Sequence, residues 1–250
     1  MNQRGFKDHF SGHAADYAAH RPTYPARLFA LLAERAPART LAWDAGTGNG
    51  QAARALAAQF ARVVATDASP EQIASATPHE GVTFRVGAEA GSGLPDASAD
   101  LITVAQALHW FDRARFFAEV RRVLKPGGLL AVWCYSMCRT SPEVDAIVDG
   151  FYEHTVGPFW PPERTLVESG YAELEFPFPR EPFPELAMEL ELDLAGICGY
   201  VGTWSAVRRY MAAKGEDPLP AFRERLAPVW GEGTRRVVWP LSVHALRKPQ

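Results

Sequence analysis

In the stretch 41-LAWDAGTGNGQAARAL-56 an aspartate, Asp44, closes an apolar run, and Gly46, Gly48 and Gly50 follow at every second position. Glycines spaced this way let a backbone take up positive φ and approach a small ligand closely. A dinucleotide turn requires G-x-G-x-x-G, but here the third glycine falls one residue early and Gln51 stands in its place. A P-loop requires Lys and then Ser or Thr after the glycines, and Gln51-Ala52 supplies neither. Nothing positive stands near the turn, which therefore reads as holding no phosphate. A second acid, Asp67, lies 19 residues after Gly48, and its two oxygens suit the hydroxyl pair of a ribose. His109, within 105-AQALHWFD-112, titrates near neutrality in water and suits a general base or a hydrogen-bonding anchor. The alternative for His109 is a bond to a loop carbonyl while Trp110 and Phe111 pack. Trp110, Trp160, Tyr200 and Trp204 are aromatic candidates for the wall of an acceptor pocket, or else core.

Short apolar runs alternating with helical patterns would have to position these residues. Strands are expected at Leu41–Trp43, Arg62–Thr66, Val82–Val86, Leu101–Val104 and Leu129–Trp133. Helices are expected at Arg27–Arg35, at Gly50–Phe60, after Ser69-Pro70, and after Asp112 until Lys125-Pro126-Gly127-Gly128 stops the last of them. A further helix over Ala195–Ala213 and a late strand over Val237–Leu246 complete the pattern. The expected fold is α/β, a doubly wound and mostly parallel seven-stranded sheet with helices on both faces. Ligands in such sheets bind outside the carboxyl ends of the strands. The expected organisation is an N-terminal lid and first helix in 1–40, a cofactor-binding core in 41–134, a substrate cap in 135–234 and a returning strand in 235–250.

Composition narrows the function classes. The chain has 250 residues, 47% of them hydrophobic, with a formal net charge of -3. A core of ordinary size fits that balance, and the absence of a basic excess argues against a nucleic-acid partner. No apolar run reaches membrane-spanning length, and MNQRGFKDHF lacks the apolar block of a signal peptide. Cys134, Cys138 and Cys198 are too few for a disulfide framework, and no histidine cluster completes a metal site around them. A soluble, reduced, cytoplasmic protein is expected, without a metal, and as a monomer or weak dimer.

The ordered set of segments resembles the class I S-adenosylmethionine-dependent methyltransferases of the type 11 group. The turn resembles their motif I, and Asp67, 87-GAEA-90, 105-AQALHWFD-112 and 124-LKPGGLLAVW-133 follow in the family's order over roughly residues 8–135. The opening 16-DYAAHRPTYP-25 resembles the lid of the subgroup that contains trans-aconitate methyltransferase, and 200-YVGTWS-205 resembles part of its cap. The resemblance implies a cofactor, S-adenosyl-L-methionine, released as S-adenosyl-L-homocysteine, and a small-molecule acceptor methylated on a carboxylate or hydroxyl oxygen. It implies a Rossmann-like methyltransferase fold. Asp44, Ala45, Gly46, Thr47 and Gly48 would face the methionine part, and Asp67 and Ala68 the ribose. Ala88 and Glu89 would face the adenine, Gln106 and Ala107 the sulfonium, and Tyr17 and Arg21 would close over the cofactor. A carbon or nitrogen acceptor, or a module that binds the cofactor without catalysis, is the alternative. An NAD(P)-linked oxidoreductase is disfavoured by Gln51.

Overall fold

The computed structural model describes residues 21–250. Tyr17 and the rest of the lid segment before Arg21 lie outside the described residues.

A helix, α1 (Ala26–Arg35), leads into β1 (Leu41–Ala45) and then α2 (Gln51–Ala57). β2 (Arg62–Asp67), α3 (Pro70–Ser75) and β3 (Val82–Val86) continue the alternation. Ser69 caps α3 as its sequence suggests, its hydroxyl accepting from the Gln72 N–H. β4 (Ala99–Ala105) is followed by α4 (Arg113–Val123), capped by Asp112, and α4 runs directly into β5 (Leu124–Tyr135). These five strands are parallel in the order β3-β2-β1-β4-β5.

The remaining strands are β6 (Arg180–Glu181), β7 (Leu186–Leu192) and β8 (Arg235–Arg247). β8 runs antiparallel to β5, pairing Leu246 with Leu130 and Leu241 with Tyr135. The same two residues pair on their other edge with Arg180 of β6 and Leu186 of β7. β6 and β7 are therefore two pieces of one interrupted strand. From Glu181 to Leu186 that strand advances five residues while β8 advances four, from Ala245 to Leu241, so the register slips by one. The sheet has eight strand segments in seven positions. The sequence reading gave seven strands, and the extra segment is the product of this slip.

β5 shows why the fold is doubly wound. Leu129, Ala131 and Trp133 point into one buried cluster, with Leu28 and Leu32 of α1 and Leu56 of α2. Leu130, Val132 and Cys134 point into a second, with Phe116, Val120 and Val123 of α4. Alternate residues of a strand face opposite sides, so each side takes its own helices.

Between β5 and β8 the chain forms α5 (Pro142–Gly150), a π-helical turn (Phe151–Thr155), α6 (Arg164–Glu168), α7 (Leu194–Gly202), α8 (Ser205–Lys214) and α9 (Leu219–Trp230). Their apolar residues Val144, Ile197, Phe222 and Trp230 join the first cluster, so cap and sheet share one core. The single helix expected over Ala195–Ala213 is two helices. Thr203 ends α7 by turning its hydroxyl back onto the Tyr200 carbonyl at 2.6 Å, a competitor to the helical ladder. Trp204 then starts α8 from an extended conformation. No helix among the described residues is long and apolar enough to cross a membrane.

Candidate active site

The three glycines of the turn have different surroundings. Each has positive φ: +68° at Gly46, +56° at Gly48 and +85° at Gly50. A Cβ on Gly46 would stand 2.7 Å from that of Ala107, so this glycine admits the segment that follows β4. A Cβ on Gly50 would meet the Phe84 ring at 2.6 Å, so this one admits β3. A Cβ on Gly48 would meet Gln72 Oε1 at 3.7 Å, an ordinary contact, so this glycine is not crowded. The turn is fastened to β2, because the N–H groups of Gly46 and Thr47 both donate to the Thr66 carbonyl.

Asp44 and Asp67 are held in contrasting ways. Asp44 has no exposure, and its two oxygens accept from the hydroxyls of Thr47 and Thr103, each at 2.6 Å. Burial pushes its carboxyl up to about 6 against the pull of those two hydrogen bonds, and the nearby Asp67 charge adds to the rise. Any influence of Asp44 on a ligand passes through Thr47 and the turn. Asp67 is half-exposed; it accepts from the N–H of Gly48 at 2.8 Å and of Ser69 at 2.9 Å, one on each oxygen. Ala45 is buried beneath the turn and Ala68 is half-exposed beside Asp67. Ala88 and Glu89 follow Gly87, whose N–H donates to the Asp67 carbonyl at 2.9 Å. That bond brings the loop after β3 to the end of β2.

Gln106 joins the ends of β4 and β5. Its side-chain carbonyl accepts from the Tyr135 N–H at 2.9 Å, and its amide donates to the Tyr135 carbonyl at 3.0 Å. The side chain thus stands in for the next residue of β4 in the ladder. The backbone of Gln106 has a left-handed φ of +53°, as does Tyr171 at +59°. Non-glycine residues held in this region often mark functional sites.

A cavity opens where these two strands end. Gln106, His109 and Trp110 come to it from the segment after β4, Tyr135 and Ser136 from the end of β5. Trp160 and Arg164 come from the turn before and the start of α6, Tyr200 and Trp204 from α7 and the start of α8, and Arg21 from the residues ahead of α1. All four aromatic candidates from the sequence reach this cavity. Trp204 does so because of the break between α7 and α8, which places it 5.8 Å from Trp160 and 5.6 Å from Tyr152. Arg21 donates to the Tyr135 hydroxyl at 2.8 Å and to Thr203 Oγ1 at 3.0 Å, tying the chain ahead of α1 to both β5 and the cap.

His109 is buried, and its Nδ1 lies 2.7 Å from the hydroxyl of Tyr171, itself without exposure. Burial pushes the Tyr171 phenol well above its ordinary value, so it keeps its proton. A buried hydroxyl must donate, and Nδ1 is the acceptor in reach, which assigns the imidazole proton to Nε2. Burial, with the Arg164 charge nearby, holds the imidazole down to about 3. Tyr135, Ser136, Arg164 and Tyr171 were not singled out from the sequence. For Tyr135 a cue existed, since it continues the alternation of Leu129, Ala131 and Trp133. Arg164 belongs to no recognisable pattern. Cys134 and Cys138 are buried free thiols pushed up to about 12 by burial.

Comparison with known proteins places the chain. Residues 43–132 match the family model described as a methyltransferase domain. A protein of Dictyostelium discoideum named as a methyltransferase is 32% identical over 225 residues, covering 88% of this chain and 86% of its own length. A solved structure from Anaeromyxobacter dehalogenans, assigned by its authors to the type II methyltransferases, is 46% identical with a TM-score of 0.87 and covers 92% of this chain and 99% of that one. YcgJ of Bacillus subtilis, 18% identical with a TM-score of 0.54 over 90% of this chain and all of its own, shares the fold. The chain belongs to the class I S-adenosylmethionine-dependent methyltransferases.

Proposed function

We propose that this protein transfers a methyl group from S-adenosyl-L-methionine to an oxygen of a small-molecule acceptor held in the cavity at the ends of β4 and β5. The observation that carries this reading is the uncrowded left-handed backbone of Gly48, whose N–H is held by Asp67, on the same end of the sheet as the aromatic cavity. S-adenosylmethionine, when bound, supplies an electrophilic methyl group on a sulfonium. The residues present suit it. Gly46, Thr47 and Gly48, with Ala45 behind them, offer a backbone surface for the methionine part, and the buried charge of Asp44 biases that surface towards a cation. Asp67, half-exposed at the edge of the turn, would meet a ribose diol, with Ala68 beside it, and Ala88 and Glu89 flank the position for the adenine. Ala107 and the left-handed backbone of Gln106 stand between this surface and the cavity. Arg21, bonded to the Tyr135 hydroxyl and to Thr203, closes the approach.

Methyl transfer asks the enzyme for alignment and exclusion of water more than for proton transfer. His109, neutral and with its proton on Nε2, aligns the acceptor as a hydrogen-bond donor. Trp110, Trp160, Tyr200 and Trp204 exclude water around it. An imidazole held down to about 3 is a weak base, which favours an acceptor that arrives as its own nucleophile, such as a carboxylate.

Calorimetric titration with S-adenosylhomocysteine, with NAD as control, tests the donor half. Saturable binding of the first and none of the second is expected. Folded protein that ignores S-adenosylhomocysteine would sink the reading. For the acceptor half, methyl transfer to carboxylic acids should show a rate that stays flat with pH above the acid's own pKa. Activity confined to carbon or nitrogen acceptors would refute that half alone.

A further inference from the structure

Four arginines of the protein surface are held in ion pairs with carboxylates. Arg122 pairs with Glu119 and Asp96, Arg139 with Asp149, Arg236 with Glu189 and Arg247 with Glu181. Arg164 has no carboxylate within ion-pair distance among the described residues, although it lines the cavity and is only half-exposed. Its Nε donates to the Tyr152 hydroxyl at 2.8 Å and its Nη2 to Ser136 Oγ at 3.3 Å. Three of the five guanidinium N–H groups, including both on Nη1, are left without an acceptor among the described residues.

The group is also held rigidly. Its guanidinium lies 4.7 Å from the centre of the Trp160 ring and 5.4 Å from that of Tyr152. Those rings fix the plane of the fork in advance of any ligand. The π-helical turn places Tyr152 in the core beside Trp160, at 4.8 Å between ring centres. The Trp160 indole N–H is buried and also without an acceptor among the described residues. Around this cluster the cavity lining contains no aspartate or glutamate. Arg21 adds a second guanidinium, and neutral His109 adds no negative charge. Glu168 is linked to Arg164 through one group, the Tyr152 hydroxyl, which accepts from Arg164 Nε and donates to Glu168.

From this geometry we propose that Arg164 is the specificity-determining residue for the acceptor, and that its free N–H edge receives a carboxylate of that molecule. A planar fork with open donors matches a carboxylate in two parallel hydrogen bonds. A cationic acceptor would meet two guanidiniums, and a neutral one would leave the fork unsatisfied in a half-buried site. The inference rests on the methyltransferase reading for the word acceptor, but the anion site itself stands on Arg164, Trp160, Ser136 and Tyr152.

The test is calorimetric titration of the full chain, with and without S-adenosylhomocysteine, using three acids and their amides: benzoate and benzamide, cinnamate and cinnamamide, glutarate and glutaramide. At least one acid should bind about tenfold or more tightly than its amide, the size of a charge-assisted pair over a neutral one. Arg164→Gln should abolish that preference, and Arg164→Lys should keep part of it, since the charge remains but the fork is lost. Glu168→Gln, a change at an exposed residue, should tighten acid binding by removing the charge that Tyr152 relays. A purely structural role for Arg164 would not produce that gain. Amides binding as well as acids, no acid binding at all, or an acid preference that survives Arg164→Gln would each overturn the proposal. Loss of S-adenosylhomocysteine binding with acid preference intact would instead count against the methyltransferase reading and leave the anion site standing.

Discussion

Gly46, Gly48 and Gly50 look alike in the sequence and are separated by their surroundings. Alanine at Gly46 would combine left-handed strain with a 2.7 Å contact to Ala107, between two parts of the site that cannot easily yield. Alanine at Gly48 carries the strain without a clash, its methyl meeting Gln72 Oε1 at an ordinary 3.7 Å. Left-handed backbone at a residue with a Cβ costs about 1–2 kcal/mol. Gly48→Ala should therefore lose about that much in unfolding free energy, and S-adenosylhomocysteine affinity with it. Gly46→Ala should lose clearly more stability. Denaturant unfolding of both variants, with a parallel titration of each, decides this, and equal stability losses would mean that Ala107 gives way. The motif was legible because the spacing of glycines and acids is a local property. What each glycine faces is not, because Ala107 and Phe84 arrive from distant segments. The same limit applies to Asp44, whose burial beneath Thr47 and Thr103 could not be read from its place at a strand end.

Single side chains also hold elements together. Gln106 extends β4 by one residue without continuing its backbone, and the two bonds to Tyr135 keep the mouth of the β4–β5 pair closed. Gln106→Leu would strand the N–H and carbonyl of the buried Tyr135, at about 1–3 kcal/mol for each orphaned group. The expected result is a loss of at least about 2 kcal/mol in unfolding free energy. Acceptor binding should weaken more than S-adenosylhomocysteine binding, since Tyr135 and Arg21 move with the strand end. A variant as stable as the parent would show that another group satisfies Tyr135. The parallel strands and the caps Ser69 and Asp112 could be read from sequence because their patterns are strong and local. The cap could not. Met188–Leu192 does alternate apolar residues with glutamates, but the run is short, only half-buried, and follows the proline-rich 176-FPFPREPFPE-185 that reads as loop. α9 carries Pro228 inside it, and the helix over 194–214 hides a break that depends on one threonine hydroxyl.

For the molecule as a whole, His109 links folding to pH. Its imidazole is held near 3 in the fold, against roughly 6.5 in an unfolded chain. Between those values the unfolded state binds a proton that the folded state refuses, so stability from this group is full above about pH 6.5 and is lost as pH falls towards 3. His109→Gln removes the effect. On going from about pH 7.5 to about pH 5, the parent should lose roughly 2 kcal/mol more unfolding free energy than the variant. Parallel denaturation curves at the two pH values measure the difference, and an unchanged gap would place the imidazole in water.

The first core cluster runs without interruption from the sheet helices into the cap, and Tyr200 and Trp204 belong to it as fully as Trp133 does. Half of the cavity wall is therefore also foundation. Drift in substrate preference is more open on the other half, at Trp160, Ser136 and Arg164, which are only half-buried. Relatives that diverge in substrate should accordingly differ at those three positions first, and laboratory evolution of this cavity should find its tolerated changes on the same side.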